Sequence, residues 1–432
     1  MAIELSARES YPPSLSRWWL ASVLGFACLV AYVARLILAP LLDPIRQELR
    51  ISDSEIGLLQ GAAFAVVCAF AALPLGRLAD RRRRLTILTV GAGLWSFGVV
   101  GCGLAPGFWT LFACRALVGV GEAALLPASV SMIADTFPID RRGVAVGILL
   151  TGCNLGIPAA YAIEGILLKF AQDGGLSSVP LLGQLTAWRQ VLVTVGLAGI
   201  IVPLLFLCLQ EPPRKIVPEL EVSSLATIRR FWADRRLLLP LYLGMALVAV
   251  GNFSLFSWGA SVLSRKFHLL PDIVGFWFGG VTAVASIVGT ALGGFLTDLA
   301  TRMGGFDAKL KLSALAVALG GGGAILISWP AVAFVLTGCA VWVLASQIAF
   351  TSAYVALQSV LPDQHRCVGL SLVAFWNILL GLGLGPTLVA FVTQTIFADS
   401  ESVGFAITTI AVCSAALAYV LFVRARLVAH QR

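Results

Sequence analysis

Apolar runs of roughly twenty residues or more, the length that crosses a bilayer as a helix, recur along this chain. They lie at 18–42, 56–76, 85–106, 108–134, 142–169, 188–210, 237–263, 272–298, 310–328, 330–361, 367–397 and 402–424. The pattern predicts an all-α membrane protein of about twelve transmembrane helices. Several runs exceed the minimum, which implies tilt or extension past the bilayer. The polar breaks are short except at 211–236, which opens with Glu211-Pro212-Pro213-Arg214-Lys215. That stretch divides the chain into a six-helix bundle at 1–210, a linker at 211–236 and a second six-helix bundle at 237–432. An internal echo supports the division. Gly76-Arg77-Leu78-Ala79-Asp80 follows the second run and Gly294-Phe295-Leu296-Thr297-Asp298 follows the eighth, both fitting Gly-x-Leu-x-Asp. Two pseudo-symmetric six-helix bundles related by an axis along the membrane normal are one plan for a transporter.

Composition agrees: 59% of residues are hydrophobic and 12% charged, against about 45–50% and about 25% in soluble domains. Arg and Lys crowd into alternate breaks, with Arg77 and Arg81 to Arg84 in one and Arg141 and Arg142 in the next. Further such breaks hold Arg214 to Arg236, then Arg302, Lys309 and Lys311, and finally Arg424 and Arg426. The opposite breaks hold only Arg46, Arg50, Lys169, Arg189, Arg265 and Lys266. The positive-inside rule then places both termini and the central linker in the cytoplasm, in an inner membrane. The net charge of +8 is therefore loop charge and does not point to nucleic acid. The 9 cysteines sit in apolar runs and are read as packing residues, and the 3 histidines are too scattered for a metal cluster. Gly320 to Gly323 lack the Lys-Ser/Thr of a phosphate loop. The first run, from Trp18, has spanning length and no cleavage site, so it should stay as the first helix.

Charges inside the runs carry the candidate chemistry. Arg115 and Glu122 share one face of the fourth helix, two turns and about 10 Å apart. A charge at the bilayer centre costs several kcal/mol unless it finds a partner or water, so the pair implies an interior polar cavity. The alternative is a buried ion pair that only locks packing. Arg35, in the first helix, falls about 9 Å from the helix centre toward the outside, level with Arg115. Two arginines and one glutamate leave a net positive pocket, and arginine presents a fork to carboxylate or phosphate. Alternatively Arg35 pairs with Glu122, or with Glu164 of the fifth helix, and no charge is free. Glu122 is the candidate proton-coupling group, because its surroundings change as a cavity opens. Tyr32, Asn252, Trp258, Gln347, Tyr354, Trp376 and Asn377 would complete a mixed polar and aromatic wall for an amphipathic cargo. Each could equally be interhelical glue.

Three motifs carry a resemblance. Gly76-Arg77-Leu78-Ala79-Asp80-Arg81-Arg82-Arg83-Arg84 resembles the loop signature of the major facilitator superfamily, with Arg83 where that family usually has Gly. Arg115-x-x-x-Gly119-x-Gly121 is similar to its fourth-helix motif, and Asp135-x-x-Pro138-x-x-Arg141-Arg142-Gly143 to the loop that follows. Within the superfamily the chain resembles the spinster-like branch. The matching residues are Ile51-Ser52-Asp53-Ser54-Glu55-Ile56-Gly57, Arg115 to Ala123, and Gly381-Leu382-Gly383-Leu384-Gly385-Pro386. One departure matters: Tyr32-Val33-Ala34-Arg35 stands where the branch commonly has Tyr-x-Asp-Arg, so a coupling role of that Asp does not transfer.

The resemblance implies a secondary active transporter working by alternating access, with the first, fourth, seventh and tenth helices lining the cavity. It implies that Gly76, Asp80 and Arg84, with Asp298 as counterpart, serve the gate. The expected cargo is an amphipathic or anionic small molecule, lysolipid-like, moved by a monomer among membrane lipids, with protons as a candidate coupling ion and no cofactor. Gly147, Gly152, Gly156 and Pro158 in the fifth helix, and Gly381, Gly383, Gly385 and Pro386 in the eleventh, are expected to allow close contact and kinks. A polyspecific drug or organic-anion exporter is the nearest rival. A lipid-modifying membrane enzyme would need clustered His or Asp near one interface, which the sequence does not offer.

Overall fold

The computed structural model describes residues 14–180, 182–212, 232–361 and 363–430, with the backbone alone at Ser14, Leu73, Asp80, Ile139, Asp140, 363–368, Ser371 and His430. The described residues form twelve spans. In chain order they are α1 (Ser14–Leu36), α2 (Asp53–Gln60 and Ala62–Arg81), α3 (Arg84–Leu104), α4 (Phe108–Glu122 and Leu125–Thr136) and α5 (Ile139–Gln172). Then come α6 (Ala187–Gly199 and Ile201–Leu207) and α7 (Arg235–Phe267). One run, Pro271–Ala324, holds both α8 and α9, and α10 (Val332–Val360) follows. In α11 the segments Asp363–Trp376, Asn377–Leu382, Gly383–Phe391 and Val392–Phe397 follow one another, and α12 is Val403–His430. A short helix, Leu42–Leu49, joins α1 to α2.

The spans differ from the sequence expectation where backbone chemistry overrides hydropathy. The first run is apolar to Leu42, yet α1 stops at Leu36. Pro40 has no N–H for a helix to use and disfavours helical geometry at Ala39. The eighth and ninth runs, expected at 272–298 and 310–328, are one helical run to Ala324 that turns at Gly304 and Gly305. Gly305 has φ 59, which glycine reaches without a Cβ clash. Pro127 and Pro203 remove a donor and crowd the carbonyl four residues back. Accordingly α4 breaks just after Glu122, and α6 just after Gly199. At Ser52 a capping box, Ser52 accepting from the Glu55 N–H and Glu55 from the Ser52 N–H, starts α2 at Asp53. Gly320 to Gly323 stay helical, and Gly320 packs on Ala345 of α10.

Contacts between helix ends fix the sense of the bundle. Arg84, opening α3, reaches Pro212 beyond α6, and Arg426 near the end of α12 meets Asp307 at the start of α9. At the opposite end Arg189 of α6 meets Glu48, and Lys266 of α7 donates to the Ser328 carbonyl. The start of α1, where Trp18 meets Phe137 just past α4, and the end of α12 therefore lie at one end of the bundle, here the terminal end; the other is the far end.

Small residues bring the helices together. A Cβ on Gly152 of α5 would collide with the Gly25 oxygen of α1, and one on Gly119 of α4 would stand 2.7 Å from the Phe64 oxygen of α2. The two halves meet along two seams. On one, a Cβ at Gly61 of α2 would lie 2.5 Å from the Gly383 oxygen of α11. On the other, a Cβ at Gly275 of α8 would lie 2.5 Å from the Tyr161 oxygen of α5. Ion pairs tie the same halves at the far end: Lys169 to Asp272 at 2.7 Å, and Arg265 to Asp43 at 2.7 Å and to Asp53 at 3.0 Å. Toward the terminal end, a Cβ at Gly76, Gly143, Gly147 or Gly294 meets nothing within 4 Å. Along these helices the contacts between the halves lie toward the far end.

Candidate functional site

The early stop of α1 and the break of α4 put two charged side chains face to face. Arg35, in the last turn of α1, donates Nε at 3.0 Å and Nη2 at 2.8 Å to one oxygen, Oε2, of Glu122. Arg115 does something different. Its Nη1 donates to the Ala34 carbonyl at 3.1 Å and its Nη2 to the Arg35 carbonyl at 2.8 Å. Those carbonyls lack helical partners because α1 ends at Leu36, and they form the negative end of its dipole. Arg115 therefore caps α1. Phe64 of α2 lies beneath both guanidinium groups, 5.1 Å from Arg35 and 5.5 Å from Arg115, and the Tyr32 ring lies 4.2 Å from Arg35.

The cluster is enclosed, with Arg115 at 1%, Glu122 at 4% and Arg35 at 8% exposure. Glu122 Oε1 and Arg115 Nε have no hydrogen-bond partner among the described residues. A narrow void beside them is lined by Arg35, Leu36, Leu38, Ala39, Gln60, Arg115 and Ser257. Gln60 of α2 donates there to the Ser257 carbonyl of α7 at 3.4 Å, linking the halves.

The seven-residue spacing of Arg115 and Glu122 gave a shared face, but the two do not bond to each other. Arg35 pairs with Glu122 and not with Glu164, and the second arginine lies against carbonyl oxygens. The freely positive pocket is therefore replaced by a cluster in which both arginines are engaged and one carboxylate oxygen is not.

The other expected wall residues are dispersed. Asn252 of α7 accepts from Ser346 of α10 at 2.8 Å. Trp258 is fully enclosed and donates its indole N–H to the Pro386 carbonyl of α11 at 3.0 Å. Gln347 of α10 lies beside Gly289 of α8, Tyr354 stacks on Phe350, and Trp376 stands edge-on to Phe375. Asn377 opens a π-helical stretch with its Oδ1 enclosed and unbonded among the described residues. Ser257 of α7, a polar residue the sequence places next to Trp258, does border the arginine–glutamate cluster, together with Gln60 and Phe64, which the sequence reading passed over. A lone amide in Leu58-Leu59-Gln60-Gly61 was the available signal for Gln60.

Of the gate residues, Gly76 faces open space, Asp298 is exposed on α8, and the Asp80 side chain lies outside the described residues. Arg84 is enclosed and binds Ser131 at 2.9 Å and Asp135 at 2.5 Å, both in α4, while its backbone N–H donates to Glu211 at 2.8 Å. It anchors the start of the central linker to the first half.

The sequence model of the Major Facilitator Superfamily matches residues 24–386. The chain belongs to that superfamily. Within it the chain is spinster-like: it is 28% identical over 293 residues to protein spinster of Drosophila melanogaster, covering 66% of this chain and 46% of that protein. It is 30% identical over 295 residues to human protein spinster homolog 1, covering 63% and 53%. The chain thus aligns with about half the length of these relatives. An MFS-type efflux pump of Mycolicibacterium smegmatis is 24% identical over 409 residues, covering 92% of this chain and 89% of the pump. Among solved structures, a bacterial homologue of the human lysosomal transporter Spinster, inward-facing and unoccupied, superposes with TM-score 0.80 at 24% identity, covering 96% of this chain and 97% of that one. Its occupied, inward-facing form gives 0.77 at 25%, covering 96% of each. The fold is that of an alternating-access membrane transporter.

Proposed function

We propose that this protein is a secondary transporter of an amphipathic, anionic small molecule of lysolipid-like chemistry, with Arg35 as the head-group ligand and Glu122 as the proton-coupling group. One observation carries the reading: both Arg35 donors converge on a single oxygen of Glu122, inside an enclosed cluster beside a void. A proton on Glu122 removes the anion that holds Arg35, and the guanidinium fork is then free for a phosphate or carboxylate. Linkage is reciprocal, so acid conditions strengthen anion binding and the bound anion favours the protonated glutamate. Arg115 stays on the end of α1 and keeps the local potential positive.

With both termini cytoplasmic, as the distribution of Arg and Lys supports, the far end is outside and the conformation is inward-facing. The halves are 1–210 and 237–432 joined through 211–236, and they rock as a monomer in the inner membrane about the central cluster. Tyr32 supports Arg35, and Asn252, Trp258, Gln347, Tyr354, Trp376 and Asn377 shape the tail side or tie its helices. Gly76, Asp80, Arg84 and Asp298 serve the terminal-end gate. A polyspecific exporter of organic anions is the second reading, favoured by the near full-length match to an efflux pump.

The test is a thermal-shift screen of purified protein against lysophospholipids, sphingoid phosphates and small organic anions, with wild type, Arg35→Ala and Glu122→Gln. Wild type should be stabilised by phosphate-bearing amphiphiles, more so at acid pH; Arg35→Ala should lose the effect, and Glu122→Gln should keep it without the pH dependence. Stabilisation retained in Arg35→Ala sinks the ligand role, and a preference for anions without tails selects the exporter reading.

A further inference from the structure

Glu164 lies on α5 at 0% exposure, and neither of its carboxylate oxygens has a hydrogen-bond partner among the described residues. It sits where the halves meet. Three residues before it, Tyr161 stands edge-on to Phe278 of α8 with ring centroids 4.8 Å apart, and the next residue, Gly165, meets the backbone of Pro271 and Gly275. On another face of α5, Gly156 packs on Tyr32 of α1. At about 100° per residue Glu164 points between those two faces, about 12 Å further toward the far end than Gly156.

The charges that could balance it are bound elsewhere. Lys169 of α5 is held by Asp272 of α8, Arg265 of α7 by Asp43 and Asp53, and Arg35 of α1 by Glu122. The remaining titratable neighbours among the described residues are Tyr161, whose hydroxyl is also unbonded, and Cys339 of α10, near Tyr161. None of them supplies a cation. An enclosed carboxylate anion without a cation or donor is strongly disfavoured. Parting of α5 and α8 would bring water to it and remove that penalty.

We propose that Glu164 is a proton-binding latch of the far end, which carries a proton while α5 and α8 are sealed and releases it to water on that side when they part. The carboxylic acid O–H is the bond broken and remade, and the proton enters and leaves by the same side. The site thus sets how pH on that side biases the two halves, without itself moving a proton across. This role is separate from that of Glu122, and it rests on the alternating-access fold rather than on the cargo.

The experiment is hydrogen–deuterium exchange of the full-length protein in nanodiscs, without cargo, read in peptides from 158–170 and 271–280. It runs from about pH 5 to about pH 8 with intrinsic rates corrected. Wild-type protection in these peptides should fall by up to about tenfold per pH unit as the carboxylate ionises. Glu164→Gln should stay protected throughout, and Glu164→Met, a second neutral variant, should be equally flat. A wild-type profile that is flat with pH overturns the proposal, as does a neutral variant that keeps the wild-type slope. With no cargo present, failure here leaves the cargo reading standing, and failure of the Arg35→Ala screen leaves the latch standing.

Discussion

The two halves of this protein share one helical plan and differ in what they bury. In the first half Arg35, Arg115 and Glu122 are charged, enclosed and bound to one another or to the end of α1. In the second half the polar groups expected to line the cavity are neutral and tie helix to helix: Asn252 to Ser346, and Trp258 to Pro386. A neutral hydrogen bond inside a bundle changes little when the cavity fills, whereas an ion pair changes with each proton or anion that arrives. The difference teaches that pseudo-symmetry of backbone need not extend to chemistry, and that one half can hold the switch while the other holds shape.

The contrast breaks most readily at Arg35. Arg35→Ala leaves the Glu122 carboxylate enclosed without its cation, and should cost about 3–5 kcal/mol of stability as well as transport. The double replacement Arg35→Met with Glu122→Met should recover most of that stability and none of the transport, in thermal unfolding and proteoliposome uptake respectively. A single variant as stable as wild type would end the contrast. Next in size is Arg115→Ala, which uncaps α1 and should cost about 1.5–3 kcal/mol for the lost charged hydrogen bonds. On the neutral side, Trp258→Phe removes the bond to Pro386 and part of an enclosed ring that Arg265 overlies, and should cost about 1–3 kcal/mol with uptake retained. Loss of uptake there would place recognition in both halves.

The smallest effect lies outside the membrane. Burial pushes the Glu48 carboxyl up, but hydrogen bonds from Thr186, Arg189 and Trp188 outweigh it and leave the carboxyl below its usual range. A lowered folded value means the contribution is present at neutral pH and fades as pH falls through the carboxylate range. Glu48→Gln should therefore flatten the acid limb of thermal stability by at most about 1 kcal/mol.

Much of the fold is legible in the sequence because a bilayer allows few solutions: apolar length gives the spans, and Arg and Lys placement suggests their sense. Helix ends are less legible. They turn on single backbone features, Pro40 after α1, Pro127 within α4 and Gly305 between α8 and α9, that hydropathy does not weigh. The residues of the charged cluster are legible too, since Arg and Glu inside apolar runs stand out. Their partners are only partly so: the Arg35–Glu122 pair is one of two that the sequence offers, and the partner of Arg115 is not foreseen. Spacing along one helix cannot foretell that α1 stops at Leu36 and offers Arg115 two open carbonyls. Trp258 reads as cavity wall from its type alone, and only packing reveals that it is enclosed.

The crossing of α2 and α11 has a mechanical side. Both helices are irregular there: α2 is interrupted at Gly61, and α11 runs through a π-helical stretch to Leu382 just before Gly383. With no side chain on Gly61 or Gly383, peptide group lies on peptide group. If the halves rock as proposed, such a contact would act as a fulcrum, letting them roll over bare backbone without side chains having to disengage and find new slots. A methyl group at Gly61 would be a wedge at the pivot, reaching a stroke of the whole molecule through one carbon atom.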